Sequence, residues 1–170
     1  SLITSLIEKL SKHEYQFCII DPTGTYRTLK TELDTDTDLS IQCLGGPGNH
    51  LPSVADIIGL CENNHTNIIL DLSTQSAAEH TAYVQELLPA IQKLRARLGR
   101  PHWLLLNDIH SLCPPEEDQL TDLLLNSLQA GGFGLVSDHP SQVPPVLLES
   151  LDCWLITYLS QPEEIAALRP

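Results

Sequence analysis

The sequence predicts an α/β fold with a mostly parallel sheet flanked by helices. Short apolar segments alternate with helical patterns along the whole chain, and most of these segments are continuously apolar instead of alternating with polar residues. Continuous apolar strands are buried on both faces, as in parallel sheets whose connections are helices. The 170 residues contain no repeat and no interdomain linker, which favours a single domain.

Six apolar runs of four to six residues predict the strands. Each run is bounded by polar or turn-forming residues and is too short for an ordinary helix. In chain order, the predicted strands cover 17–20, 40–44, 67–72, 103–106, 133–136 and 153–157.

Helical patterns separate these strands, because apolar residues there recur every three or four positions. Ser53, with Asp56 three residues later, is a helix N-cap signature. Pro89 falls inside the longest pattern, where a proline is expected to kink the helix. The predicted helices cover 2–10, the residues after 53, 76–98, 116–129, 143–151 and 162–168.

The charge balance argues against a general nucleic-acid surface. The chain carries 22 acidic and 9 basic residues, for a formal charge of −13. The acidic loop at 34–38 is expected to be solvated. No apolar run approaches the roughly 18–20 residues of a membrane span, and no basic leader precedes an apolar stretch. The five cysteines form no CxxC pair, so we interpret them as packing residues of a cytoplasmic protein.

Polar side chains stand at the carboxyl ends of four predicted strands. Ligands of parallel sheets bind at this edge, so these residues are the first candidates for a site. They are Asp21, Asp71 with Ser73, Asn107 with Asp108, and Ser137 with Asp138 and His139.

The end of the fourth strand has the shape of a Walker B motif. The run 104–106 is followed by Asn107 and Asp108. In such sites the first acid holds Mg²⁺ and the second activates the attacking water. The glycines at 45–48 are interpreted as a turn, because no Gly-Lys-Ser/Thr follows them as a phosphate loop requires.

The end of the first strand supports a different enzyme class. Asp21-Pro22-Thr23-Gly24-Thr25 resembles the DxTGT element of haloacid-dehalogenase-like phosphotransferases, in which the aspartate attacks a phosphoryl group. In this alternative Ser73 would hold the phosphate and Asp108 would bind magnesium. The lysine that such a site needs would have to be Lys93, inside a predicted helix.

Three blocks together resemble the HerA/FtsK-like P-loop ATPases. Residues 17–26, FCIIDPTGTY, are similar to that family's IDPEGDY element, and residues 99–114, GRPHWLLLNDIHSLCP, to its GRPHWLLLDEAHHLLP block. Residues 137–143, SDHPSQV, resemble its T-x-H-P-x-x-V strand end. The resemblance spans nearly the whole chain.

This resemblance implies a RecA/FtsK-like P-loop NTPase core that uses ATP and Mg²⁺. In the family a helix like 2–10 directly follows the Gly-x-Gly-Lys-Ser/Thr loop, which places Ser1 at or beside the loop's last residue. Residues 1–170 are therefore expected to be one incomplete domain, without its first strand and phosphate loop. The absence of methionine agrees with that expectation.

The resemblance also implies roles for individual residues and a ring assembly of subunits. Family relatives move DNA, which the acidic charge does not favour here. A neighbouring subunit's arginine finger could come from Arg95, Arg97 and Arg100, although a helix-dipole role is the simpler interpretation. The implied site residues are Ser1, Asp21, Ser137 and His139 for nucleotide, Asn107 and Asp108 for magnesium, and Asp108 for catalysis.

Several departures from the family pattern predict weak or lost hydrolysis. Asn107 stands where the family has its magnesium-binding Asp, and an uncharged amide holds Mg²⁺ more weakly. Asp108 stands in place of Glu, and Thr23 and Thr25 replace acidic residues. A one-residue shift would instead make Asp108 the magnesium acid, with His110 or Ser111 beside it. A third hypothesis is a non-enzymatic interaction domain on a degenerate ATPase fold.

Overall fold

Five parallel strands form one sheet in the part of the chain that the structure describes. This computed structural model describes residues 2–29, 40–63, 66–99, 102–114 and 118–168. Ser1, the acidic loop at 34–38, Arg100 and the predicted helix start at 116 lie outside these ranges. The strands are β1 (Gln16–Asp21), β2 (Ser40–Gly45), β3 (Thr66–Asp71), β4 (His102–Leu106) and β5 (Phe133–Leu135).

Helices connect and cover these strands, as the alternating pattern predicts. They are α1 (Leu2–Lys12), α2 (Val54–Cys61), α3 (Ala77–Leu98), α4 (Ile109–Leu112), α5 (Asp118–Gln129), α6 (Pro145–Glu149) and α7 (Pro162–Ala167). A short 3-10 helix, Pro140–Gln142, precedes α6.

The strand order is β2-β3-β1-β4-β5, and every pairing is parallel. Strand β1 is central, with Asp21 opposite Asp71 of β3 and Ile20 opposite Leu106 of β4. All six residues of β1 and of β3 are buried. The α/β fold with a parallel sheet, predicted from the continuous apolar runs, is confirmed.

The sheet separates two apolar cores of unequal size. The large core packs alternate strand residues such as Ile20, Leu70 and Leu106 against α2, α3 and α5. The small core packs the opposite residues, such as Ile19 and Leu105, against α1 and the segment after β1. Side chains of successive strand residues point to opposite faces, so one run supplies both cores.

The helix boundaries follow from their caps. Ser53 with Asp56 and Ser76 with Glu79 form capping boxes at the starts of α2 and α3. Gly99 ends α3 in the left-handed conformation. Helix α3 is continuous over 22 residues and contains Pro89, so the proline does not end it.

The predicted strand at 153–157 is wrong. This segment pairs with none of the described strands, and Leu155 and Ile156 are 69% and 58% exposed. An apolar run becomes a strand only where a neighbour supplies the ladder hydrogen bonds, and no described strand does so here. None of the described helices is long and apolar enough to cross a membrane. None of the five cysteines forms a disulfide, and only Cys153 is exposed.

Candidate functional site

The carboxyl ends of β1, β3 and β4 place polar side chains beside one another. Asp21 and Asp71 are opposite each other at the ends of β1 and β3. Asn107 follows β4 directly, and its backbone N–H donates to the Ile20 carbonyl at 2.9 Å. Three of the four strand ends that the sequence marks as site candidates therefore lie beside one another in the fold.

The buried Asp21 carboxylate holds the loop after β1. Its Oδ1 accepts from the backbone N–H of Thr23 at 3.2 Å and lies 3.1 Å from the Thr23 hydroxyl oxygen. Its Oδ2 accepts from the backbone N–H of Tyr26 at 2.8 Å. Both oxygens are thus engaged and the residue is fully buried. A phosphoryl-accepting nucleophile needs an accessible oxygen, so this geometry weighs against the haloacid-dehalogenase-like alternative.

Asp108 has a backbone conformation that residues other than glycine rarely adopt. Its φ and ψ are 47° and 51°, a left-handed geometry that proteins retain mainly at functional sites and turns. Its Oδ2 accepts from the Thr23 hydroxyl at 2.8 Å. The other carboxylate oxygen, Oδ1, accepts no hydrogen bond from the described residues. One oxygen is therefore oriented and the second is left for a cation or water.

The Asn107 amide lies between two carboxylates. Its Nδ2 donates to Asp21 Oδ1 at 3.2 Å and to Asp108 Oδ2 at 3.1 Å. An aspartate at this position would place a third negative charge in the same space. The amide N–H groups thus satisfy oxygens that would otherwise need a cation.

An ion pair between the buried Asp71 and the half-exposed Arg27 lies beside this group. The Nε of Arg27 donates to Asp71 Oδ2 at 2.8 Å, and the Ser73 backbone N–H donates to Asp71 Oδ1 at 3.0 Å. Burial raises the pKa of Asp71, but the hydrogen bonds from Ser73 and Arg27 outweigh it and hold that pKa below its usual value. Sequence reasoning marked Asp71 as a strand-end acid and missed Arg27.

The glycines at the end of β2 and directly after it form a turn beside Asp71, which confirms their interpretation. Gly45 and Gly46 have φ of +81° and +77°. The backbone N–H of Asn49 donates to the Gly46 carbonyl at 3.1 Å. A Cβ on Gly46 would lie 2.3 Å from Asp71 Oδ2, so these glycines serve close packing as well as turn geometry.

Ser137 and His139 belong to a second cluster, beyond the end of β5. Ser137 Oγ accepts from the His139 backbone N–H at 3.0 Å and lies 3.1 Å from His110 Nδ1. His139 Nδ1 lies 3.2 Å from Oε1 of the buried Glu164. Glu164 was not among the sequence candidates, since nothing in its spacing marks it.

Two of the three candidate finger arginines are bound within the chain. Arg95 donates from Nη2 to the Gly131 carbonyl, and Arg97 pairs with Glu62. A role at another subunit's site would require either arginine to leave these partners. Arg100 and Ser1 lie outside the described residues.

The donor set at the carboxyl edge fits magnesium. Mg²⁺ prefers hard oxygen ligands and keeps several waters. The free oxygen of Asp108 and the hydroxyls of Thr23 and Thr25, which lie 2.8 Å apart, are such ligands. Asn107 can add a neutral carbonyl oxygen at most.

No protein-family model and no curated protein matches this chain. Solved structures do match it. The fold is similar to the genome packaging NTPase B204 from Sulfolobus turreted icosahedral virus 2 in complex with ATP-gammaS, with a TM-score of 0.62 at 14% identity. The match covers 96% of this chain and 69% of B204. The AMPPCP complex of B204 gives a TM-score of 0.63 at 14% identity, over 96% and 70% of the two chains. At this identity the likeness shows a shared fold.

Proposed function

We propose that this chain is the larger part of an ATP-binding P-loop NTPase domain of the HerA/FtsK-like class, with weak or lost hydrolysis. The observation that carries the proposal is the convergence of Asp21, Thr23, Asn107 and Asp108 at the carboxyl edge of a parallel sheet. The fold is shared with a packaging NTPase whose structures contain ATP analogues.

Asp108 is the residue that we assign to magnesium and to the attacking water. Bound Mg²⁺ and ATP supply the transferable phosphoryl group and neutralise its charge. Asp108 Oδ1 would contact the ion or the water, because Thr23 and Asn107 hold Oδ2. Asp21 shapes the loop that carries Thr23, so it acts through its neighbours.

The same contacts support weak hydrolysis. The Asn107 amide has no charge to offer a cation and already donates to both neighbouring carboxylates. Asp108 is one methylene shorter than glutamate, and two hydrogen bonds restrain it. Asp108 would have to reach a water near the γ-phosphate as the base, but its side chain is short and two hydrogen bonds hold it in place.

The path of the chain indicates where a phosphate-loop strand would lie. The crossovers β2 to β3, β3 to β4 and β4 to β5 all move toward β5, with their helices on the large-core face. Helix α1 lies on the opposite face. Since parallel crossovers are right-handed, a strand leading through α1 into β1 would lie on the β5 side of β1. Strands β4 and β5 already occupy the sheet on that side of β1, so the phosphate-loop strand would lie beyond β5.

Two further features support a strand at that place. A three-residue connection joins α1 to β1, so α1 runs back along the sheet and begins near its carboxyl edge, where helix N–H groups can hold phosphate. A cleft of about 230 Å³ lies between the β5 end and the segment 153–159, with Leu135, Val143 and Leu155 in its lining. We propose that a strand preceding Ser1 fills this cleft.

Nucleotide binding by a longer polypeptide tests the proposal. We would measure Mg²⁺-dependent ATP-gammaS binding by calorimetry, for the 170-residue chain and for a version extended by the residues encoded before Ser1. We expect micromolar binding by the extended protein only. Asp108→Asn should weaken it at least about tenfold, whereas the exposed Asp122→Asn should not. An extended protein without nucleotide affinity would contradict the proposal.

Hydrolysis is tested by restoring the family residues. Asn107→Asp combined with Asp108→Glu, in the extended protein, should raise ATP turnover at least about tenfold, within the range of a general-base contribution. An unchanged turnover would mean that these two residues do not occupy the Walker B positions.

An interaction domain is the second candidate, and one observation favours it. Leu155, Ile156 and Tyr158 are 69%, 58% and 81% exposed in one short segment, and contiguous exposed apolar residues often mark a binding surface. A gene in which a Met codon directly precedes Ser1, with no phosphate loop, would favour this candidate over the ATPase.

A further inference from the structure

A second cluster of ligand-type side chains lies beyond β5, apart from the carboxylates at β1 and β4. His110, Asp138 and His139 each place one donor atom within 4.8 Å of the others. We propose that these three residues bind one divalent transition-metal ion, with Zn²⁺ as the reference ion and one coordination position left open. This site is separate from the magnesium position proposed at Asp108.

The distances suit a site that closes slightly around its ion. Asp138 Oδ1 lies 3.8 Å from His110 Nδ1 and 3.8 Å from His139 Nε2. A tetrahedral ion with bonds of about 2.0–2.2 Å holds its ligands roughly 3.4 Å apart. The two distances to Asp138 exceed this value by about 0.4 Å. The donor atoms of the two histidines, which lie within 4.8 Å of each other, must also approach as the ion binds. The Asp138 side chain is 74% exposed and free to make this adjustment.

Glu164 orients one of the two imidazoles. Its Oε1 lies 3.2 Å from His139 Nδ1, so an Nδ1–H donated there leaves the Nε2 lone pair facing Asp138. Histidines that bind metals commonly donate their other ring N–H to a carboxylate in this way. Glu164 is itself buried and fixed by the backbone N–H and the hydroxyl of Ser141, at 2.7 and 2.9 Å.

A backbone hydrogen bond between the start of α4 and the end of β5 positions His110. The Ile109 backbone N–H donates to the Val136 carbonyl at 3.0 Å, which holds the start of α4 beside the end of β5. The two imidazole rings lie 5.1 Å apart at 84°. Ser137 Oγ is 3.1 Å from His110 Nδ1 and can release that contact, because it keeps the His139 backbone N–H.

The chemistry of the donors selects the class of ion. Two imidazoles with one carboxylate favour Zn²⁺ and neighbouring transition metals, whereas Mg²⁺ prefers oxygen ligands alone. Three protein ligands leave a fourth position for water or another ligand. Asp138 and Cys153 line the same cleft, so the exposed Cys153 thiol is a competing ligand that a test must distinguish.

Cobalt and zinc titrations of the 170-residue protein test this proposal. We expect one equivalent of Co²⁺ with the intense visible absorption of tetrahedral cobalt, displaced by Zn²⁺ and resistant to millimolar Mg²⁺. Asp138→Asn and His139→Gln should each weaken binding at least about tenfold, and Glu164→Gln by about 10- to 100-fold with unchanged stoichiometry. His13→Gln, at the far end of α1, is the matched control and should bind like the wild type.

Clear outcomes would overturn the proposal. Co²⁺ affinity that is unchanged in Asp138→Asn and His139→Gln would do so. A thiolate-to-cobalt charge-transfer band that disappears in Cys153→Ser would assign the ion to the cysteine instead. Displacement of Co²⁺ by Mg²⁺ at equal concentration would place the ion at the Asp108 oxygens. Because Asp138 is exposed, Asp138→Asn should keep the wild-type circular dichroism and unfolding midpoint, so its result is interpretable.

Discussion

The Asn107 amide stabilises the neighbouring carboxylates of Asp21 and Asp108 without a cation. It donates to both Asp21 and Asp108, so Asn107→Asp replaces a shared donor with a third negative charge. We expect this variant to lose about 1–3 kcal/mol of unfolding free energy in EDTA. Millimolar Mg²⁺ should restore most of the loss, because three carboxylates form a stronger magnesium site. Urea unfolding with and without Mg²⁺ measures both effects.

The control for that prediction is the same substitution at an exposed position. Asn126→Asp lies on the solvent side of α5 and should change stability little in either condition. If Asn107→Asp is equally destabilised with and without Mg²⁺, its carboxylates do not form a magnesium site.

Asp71 should give the protein an acid-sensitive contribution to stability. Its pKa is lower in the folded chain than in the unfolded one, so its stabilising effect is complete above about pH 4, the unfolded value. The effect is lost as the pH falls through the lower folded pKa. Asp71→Asn should therefore cost about 1–3 kcal/mol at pH 7, and the difference from wild type should narrow below pH 4. Chemical unfolding between pH 7 and pH 2.5 measures it.

Asp122→Asn, on the exposed side of α5, provides the comparison. Its difference from wild type should stay near zero over the same pH range. A difference at Asp71 that grows as the pH falls would contradict the assigned direction of the pKa shift.

At the scale of elements, the turn after β2 depends on glycine for two separable reasons. Gly46 and Gly48 have nearly the same φ, +77° and +79°, but only a Cβ on Gly46 meets a neighbour, at 2.3 Å from Asp71 Oδ2. Gly48→Ala should cost about 1 kcal/mol for the left-handed backbone alone. Gly46→Ala should cost at least about 2 kcal/mol more, because it also displaces a charge-assisted hydrogen bond. Thermal unfolding of the two variants measures this difference, and equal losses would contradict it.

The strands were predictable because burial on both faces leaves a continuous apolar run. That rule holds for the fully buried β1 and β3, whereas β2 and β5 are partly exposed although their apolar residues also predicted strands. The rule failed at 153–157, where the run is present and no described strand pairs with it. Sequence shows which residues prefer burial, and pairing depends on the neighbour. The Ser53 N-cap was predictable because its partner Asp56 is three residues away.

Long-range partners explain what the sequence did not reveal. The strand-end residues Asp21 and Asn107 were predictable, since strand ends share one edge. The pairing of Arg27 with Asp71 spans 44 residues, and that of His139 with Glu164 spans 25. Such contacts depend on how crossovers and loops return to the sheet, which local patterns do not encode.

At the scale of the whole molecule, β5 is an edge strand with no described strand on its outer side, and a cleft separates it from the apolar segment 153–159. Backbone groups on an unpaired edge exchange with solvent readily. In the 170-residue chain we therefore expect fast hydrogen exchange in β5 and in 153–158, and slow exchange in the central β1 and β3. If the strand that we propose before Ser1 fills this edge, a protein extended by that strand should show slower exchange in β5 and 153–158 together and unchanged exchange in α3. Exchange followed by mass spectrometry measures this, and protection of only one of the two segments would contradict a strand inserted between them.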